Sequence, residues 1–156
     1  MHPHAQLIHR FYSAFQRRDG AAMAACYTDD ASFGDPVFTD LQGREVGGMW
    51  RFLCERGEDL AVTFRDVAAD DDGGSAHWEA TYTFSATGRR VVNRIDAKFR
   101  FRDGKIAWHR DHFDLGAWAR QALGWKGLLI GLPPVRAGLR RQAKKGLDGW
   151  LRKQER

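Results

Sequence analysis

Apolar residues recur at helical spacing over residues 4–17. Leu7, Ile8, Phe11 and Phe15 share one face there, with Arg10, Arg17 and Arg18 on others, and this predicts a helix. The Arg-Asp-Gly at 18–20 ends it, and residues 21–27 predict a short second helix. The chain then extends through residues 28–36, where Pro36 keeps Asp35 out of helical geometry. Residues 43–57 predict a third helix with Val46, Trp50 and Leu53 as its buried stripe. From residue 60 the period changes to two. Strands are expected over 60–69, 76–86, 90–102 and 105–115, separated by the turn-rich stretches DDDGG, ATGRR and RDG. Helices followed by an antiparallel meander make an α+β fold.

The alternation sorts faces. Trp78, Ala80, Tyr82 and Phe84 share one side of their strand, and His77, Glu79, Thr81 and Thr83 the other. On the next strand Val91, Asn93, Ile95, Ala97, Phe99 and Phe101 alternate with Arg94, Asp96, Lys98, Arg100 and Arg102. The apolar sides are expected to face the helices, with Asn93 the odd polar group among them. The last strand places His109, Asp111 and Phe113 on one face and Trp108, Arg110 and His112 on the other. Both faces are mixed, so hydrophobicity does not choose between them.

Composition adds three points. With 156 residues, 43% of them hydrophobic and 29% charged, the chain suits one soluble domain with a sizeable core, rich in aromatics at six Trp and ten Phe. No stretch approaches the ~20 apolar residues of a membrane span. The N-terminus lacks the pattern of a signal peptide, and Cys26 and Cys54 form no metal or redox spacing, so a cytoplasmic location is expected. The net charge of +5 is concentrated at one end: residues 134–156 hold eight Lys/Arg against Asp148 and Glu155, which leaves the other 133 residues at −1. Residues 117–126 predict another helix, 127–135 an apolar connector, and 135–154 a basic helix with Val135, Leu139, Ala143, Leu147, Trp150 and Leu151 along one stripe. Such a helix docks on its own protein in the simplest reading; a partner subunit, a lid over a pocket and weak contact with an anionic membrane are alternatives. Nucleic acid is not expected, because the body is not basic.

Three segments in order, FYSAFQRRDGAAMAACYTDDASFGDP, GREVGGMWRFL and FRFRDGKIAWHRDHFDL, resemble the nuclear-transport-factor-like superfamily, which includes ketosteroid isomerases, limonene epoxide hydrolases and SnoaL-like polyketide cyclases. The resemblance spans about residues 7–116. It implies an α+β cone, a strongly curved mixed or antiparallel sheet wrapped around the N-terminal helices. A domain over 1–116 and a helical, basic extension over 117–156 follow, and a homodimer is expected. It also turns the Asp111 face inward, toward a pocket lined by Phe11, Phe33, Trp50, Trp78, Ala80, Tyr82, Asn93, Ile95 and Phe113.

By the same resemblance, Asp111 falls on the carboxylate that activates water in the epoxide hydrolases, and Asp35 on the general base of the isomerases. The Arg and Asp that the hydrolases carry on an earlier strand correspond here to Trp78 and Ala80, and their water-holding Tyr and Asn to Phe33 and Asp35. The isomerases' tyrosine donor corresponds to Phe11, with Tyr12 expected on another face, and their second donor falls near Asp96 or Ala97. Asp111, Asp35 and His109 are therefore the candidate catalytic residues. Desolvated, neighbouring carboxylates acquire separated pKa values, and His109 is placed to share the proton. The plainer alternatives are that Asp35 caps a turn and Asp111 pairs with an arginine. Alternation parts His112 from His109 and Asp111, so no metal site and no cofactor are implied. Three functions stay open: a cofactor-free enzyme acting on a small apolar molecule, a non-catalytic carrier of such a molecule, and a peripheral module working through its basic tail.

Overall fold

The computed structural model describes residues 1–155; Arg156, the last of the tail's basic residues, lies outside them. The element order is α1 (Pro3–Gln16), α2 (Gly20–Ala24), β1 (Tyr27–Gly34), β2 (Leu41–Gln42), α3 (Arg44–Arg56), β3 (Ala61–Ala69), β4 (Gly73–Phe84), β5 (Arg89–Arg102), β6 (Lys105–His112), α4 (Leu115–Leu123), a 3-10 connector (Gly124–Gly131) and α5 (Pro133–Gln154). The six strands form one sheet in the order β2-β1-β6-β5-β4-β3. β3 to β6 are the expected antiparallel meander, but β1 joins it parallel to β6, with Phe33 opposite His109. The sheet is therefore mixed, and this one parallel pairing brings residues some 80 positions apart into the same site.

The sheet wraps α1 and α3. Leu7, Ile8, Phe11, Tyr12 and Phe15 of α1 and Val46, Met49 and Trp50 of α3 are buried against the inner faces of β4, β5 and β6. Inward Trp78 and Ala80, and Val91, Ile95, Ala97 and Phe99, follow the expected alternation, while Asp96 and the β5 arginines face out. On α3, Leu53 is only partly buried, and Phe52 and Cys54 take more of the inner stripe than the spacing from Val46 suggests. The second helix is shorter than expected, because the chain enters β1 already at Tyr27.

A bulge explains why β6 looks mixed. Phe101 pairs with Ile106 and Arg100 with Trp108, so Ala107 is the extra residue. The phase shifts by one, and Ile106 and His109 both point inward although they are three apart.

α5 packs along α3. Leu147 is fully buried, Trp150 lies against Phe52, Arg51 lies over the Trp150 ring, and Lys144 reaches Glu45 at 2.7 Å. Gly48 is the point of closest approach: a Cβ there would come within 2.5 Å of the Leu151 side chain. Docking on the protein, the simplest reading of the basic helix, thus describes its C-terminal half. Val135 departs from the expected stripe and is exposed. The reason is length. At about 1.5 Å per residue, the 22 residues of α5 outrun the 13 of α3, so the first turns of α5 have no α3 beneath them.

Candidate active site

Trp and Tyr polar groups buried in an aromatic core need partners, and Trp50, Trp78 and Tyr27 find theirs in a single chain of hydrogen bonds. His109, at 0% exposure, sits between the Asp111 carboxylate (Nε2 to Oδ1, 2.8 Å) and the Tyr27 hydroxyl (Nδ1 to Oη, 2.7 Å). Trp50 Nε1 donates to the same Tyr27 oxygen at 2.8 Å, and Trp78 Nε1 approaches Asp111 Oδ1 at 3.4 Å. The indole N–H can only donate. Tyr27 oxygen therefore accepts from Trp50, which leaves its own proton for His109 Nδ1. The Nε2–H of His109 then donates to Asp111. Each group in the chain is satisfied only in this sense, so every N–H and O–H points toward Asp111, whose side chain is 2% exposed.

The surrounding rings hold this chain in place. His109 lies nearly parallel to Tyr27 and Trp50, with centroids 6.1 and 6.0 Å away, and meets Phe33 and Phe11 edge-on at 5.0 and 5.8 Å. Phe99 closes the remaining side at 4.3 Å. Burial first, and then the Asp111 charge, hold the Tyr27 hydroxyl well above the ordinary tyrosine pKa, so it stays protonated.

Phe11 and Tyr12 lie on different faces of α1, as expected: Phe11 meets Tyr27 and Trp50, and Tyr12 meets Phe64 and Trp78. Both are fully buried, because the curved sheet covers more than one face of the helix. Tyr12 stacks on Phe64 at 5.3 Å, and among the described residues its hydroxyl has no hydrogen-bond partner. Burial first, and then the Asp111 charge, raise its pKa well above the usual value. A neutral hydroxyl donor with nothing to donate to is an unusual thing to keep inside a core.

Asp35 follows the end of β1 and is half-buried. Its Oδ1 accepts from the backbone N–H groups of Val37 and Phe38 at 2.7 and 2.6 Å, so it does cap the turn around Pro36. It is more than a cap. Desolvation raises its pKa to about 7, opposed by those two hydrogen bonds and raised further by Asp111, while Arg140 lowers it. Asp111 does not take the alternative partner considered for it: Arg110, on the outer face, bonds Ser32 and the His109 carbonyl instead. α5 reaches this end as well, where Arg140 Nε donates to the Pro36 carbonyl at 3.0 Å.

Of the expected lining, Phe11, Phe33, Trp50, Trp78, Ala80, Ile95 and Phe113 are buried, and Asn93 and Tyr82 are partly buried. Tyr82 accepts from Trp118 Nε1 of α4 at 2.7 Å. These side chains pack on one another. The two cavities described lie elsewhere, one of about 680 Å³ along α1 and one of about 820 Å³ at the sheet rim, and neither is lined by Asp35, His109 or Asp111. Among the described residues, no three His, Cys, Asp or Glu side chains converge as metal ligands would.

The sequence profile described as a SnoaL-like domain matches residues 8–109. The chain belongs to this family. No curated protein matches its sequence. Solved structures similar to this SnoaL-like chain include an NTF2-like protein of unknown function from Burkholderia pseudomallei, at 19% identity and TM-score 0.69 over 79% of this chain and 99% of that one. A protein described as a putative polyketide cyclase from Xanthomonas campestris aligns at 22% identity and TM-score 0.63 over 76% and 96% of the two chains. An epoxide hydrolase of the limonene type from M. tuberculosis aligns at 20% identity and TM-score 0.62 over 85% and 96%. These likenesses establish the cone fold of the SnoaL-like chain. Its inner wall has tryptophan and alanine, both buried, at the two positions equated with the hydrolases' Arg and Asp.

Sequence reading missed Tyr27 as a member of this centre, and gave Trp50 and Trp78 only as lining, without the hydrogen bonds of their indoles. The tyrosine directly after a short helix carried no periodic signal, and its pairing with His109 depends on the parallel contact between β1 and β6.

Proposed function

We propose that this SnoaL-like protein is a cofactor-free acid/base catalyst that moves a proton within a small apolar carbonyl compound, as an isomerase or cyclase does. The observations carrying this reading are the hydrogen-bond chain that ends on Asp111 and the buried Tyr12 hydroxyl, which feels the Asp111 charge and has no hydrogen-bond partner among the described residues. In this reading Asp111 takes a proton from the carbon next to the carbonyl, and Tyr12 donates a hydrogen bond to the oxygen as charge develops on it. His109 and Tyr27 position the carboxylate. Asp35, with a pKa near 7, serves as a second acid or base.

The direction of the chain favours isomerisation over hydrolysis. It terminates at the Trp50 N–H, which cannot accept a proton, so whatever Asp111 takes it must itself return. Epoxide opening asks for a second acid against the leaving oxygen; the positions where the hydrolases hold theirs, Trp78 and Ala80, are apolar here, and Asp35 stands at another strand's end. The putative polyketide cyclase among the similar structures supports the same class of chemistry. A non-catalytic carrier of such a compound is the second reading, since the same aromatic wall would hold it without any proton transfer.

The test is ultraviolet assay of a panel of β,γ-unsaturated cyclic ketones for conversion to their conjugated isomers. Turnover should fall by about a hundredfold or more in Asp111→Asn and less in Tyr12→Phe. Turnover unaffected by Asp111→Asn would exclude the assignment, and ketone binding without turnover would leave the carrier.

A further inference from the structure

Apart from Met1, every exposed large hydrophobic residue among the described residues falls within eleven consecutive positions: Trp125 (72% exposed), Leu128 (68%), Leu129 (42%), Leu132 (53%) and Val135 (36%). They lie on the 3-10 connector and the overhanging start of α5. This is not a loose loop. Gly127 packs so closely on the Ala119 carbonyl that no side chain would fit there, Ile130 is buried, and the backbone N–H groups of Leu132 and Val135 bond the Leu129 and Leu132 carbonyls at 2.9 and 3.0 Å. The connector is braced against α4 with its apolar side chains outward. α4 is itself tied to the sheet, where Arg89 Nε and Thr87 Oγ1 donate to the Gln121 and Ala122 carbonyls.

Charge names the occupant. From Leu115 to Leu147 the chain has no acidic residue and seven cations: Arg120, Lys126, Arg136, Arg140, Arg141, Lys144 and Lys145. Lys126 is exposed inside the apolar run, with its Nζ 5.9 Å from the Trp125 ring centre, and Arg136 follows Val135 directly. An apolar protrusion carrying a tryptophan and rimmed by cations matches the boundary of an anionic bilayer. Leucines enter the acyl region there, the indole sits at headgroup level, and Lys/Arg meet the lipid phosphates.

We propose that residues 125–136 dock this protein on an anionic lipid surface. The contact is peripheral: among the described residues, no helix is long and apolar enough to cross a membrane. This differs from the expected contact through the whole basic tail, because the C-terminal half of α5 is taken up by α3. The proposal does not depend on the chemistry at Asp111.

The experiment is co-sedimentation of the full chain with vesicles of phosphatidylcholine alone or with about a third phosphatidylglycerol, at low and high salt. Binding should appear on the anionic vesicles and weaken with salt. Trp125→Ser combined with Leu128→Ser should reduce it about tenfold or more. Lys126→Glu with Arg136→Glu should reduce it at least about tenfold on anionic vesicles without changing the little binding to neutral ones. Trp125, Lys126 and Leu128 are exposed and Arg136 is half-buried, so thermal melting should stay close to the parent; if the double serine variant melts lower, the charge variant carries the test alone. The proposal is overturned if the chain does not sediment with anionic vesicles, or if both variants sediment as the parent does. It is equally overturned if gel filtration shows these substitutions dissociating a dimer while vesicle binding is unchanged, since the patch would then be a contact between copies.

Discussion

Tyr27→Phe removes one oxygen atom from a core and should behave unlike most such changes. The ring stays, and with it the packing on Phe11 at 5.6 Å and on His109. What disappears is the acceptor for Trp50 Nε1 and the donor to His109 Nδ1, both in fully buried surroundings. A buried polar group left without a partner costs about 1–3 kcal/mol, and two are stranded, so the expected loss is about 2–5 kcal/mol. For a chain of this length, that is a fall in Tm of roughly 5–15 °C. Urea unfolding at neutral pH, followed by far-ultraviolet circular dichroism, measures it. Tyr82→Phe is the internal comparison, because Tyr82 is only partly buried and strands a single donor, Trp118 Nε1. If Tyr27→Phe lies within about 0.5 kcal/mol of the parent, as a surface change would, the hydrogen-bond chain does not exist as described and the reading of Asp111 built on it fails.

Asp35 gives a pH prediction with an unusual sign. Its folded pKa, about 7, lies above the unfolded value of 3.8, so folding favours the protonated form. Its contribution to stability is complete below pH 3.8 and is lost as pH rises toward 7. Asp35→Asn keeps an oxygen for the Val37 and Phe38 N–H groups and should raise stability at pH 8 by about 1–3 kcal/mol, after allowing for water at this half-buried position; no gain in urea titrations at pH 8 would refute the desolvated carboxyl. His77, on the outer face, is raised by Asp96 and then by Glu79. Its contribution is full below the unfolded value of 6.5 and is lost as pH rises through the folded pKa, so His77→Gln should be more harmful at about pH 5 than at pH 9. Gly48→Leu should lever α5 off α3 through Leu151, with trypsin cleavage at Arg140 and Arg141 faster by about tenfold and the rest of the chain still folded.

The strands and main helices were legible because their periods are local. The alternation in β4 and β5 assigns inner and outer faces correctly, down to Asp96 outside. The site was legible in part. Asp111 and His109 share a face by simple alternation, and only the resemblance turned that face inward. The bulge at Ala107 breaks the phase and conceals the choice, since Ile106 and His109 look like members of opposite faces. The spacing parts Phe11 from Tyr12 but does not say that both faces are buried: a helix on one flat sheet buries one stripe, whereas this sheet curves around α1. Val135 was assigned to a docked stripe because periodicity reports which residues could be buried together, and says nothing of where the neighbouring helix stops. Tyr27 left no trace at all, since parallel pairing across the chain is not written in any window of sequence.

That same parallel pairing dictates when the centre can come into being. β1 is complete once residue 34 has been made, but its neighbour β6 begins at residue 105. During synthesis at about 5–20 residues per second, the edge of β1 and the Tyr27 hydroxyl wait several seconds for His109 to arrive. Any nascent chain shorter than the family domain leaves the start of the molecule unable to close. The polar heart of this protein is thus among the last things to assemble, and a released, full-length β6 is the signal that the cone has shut.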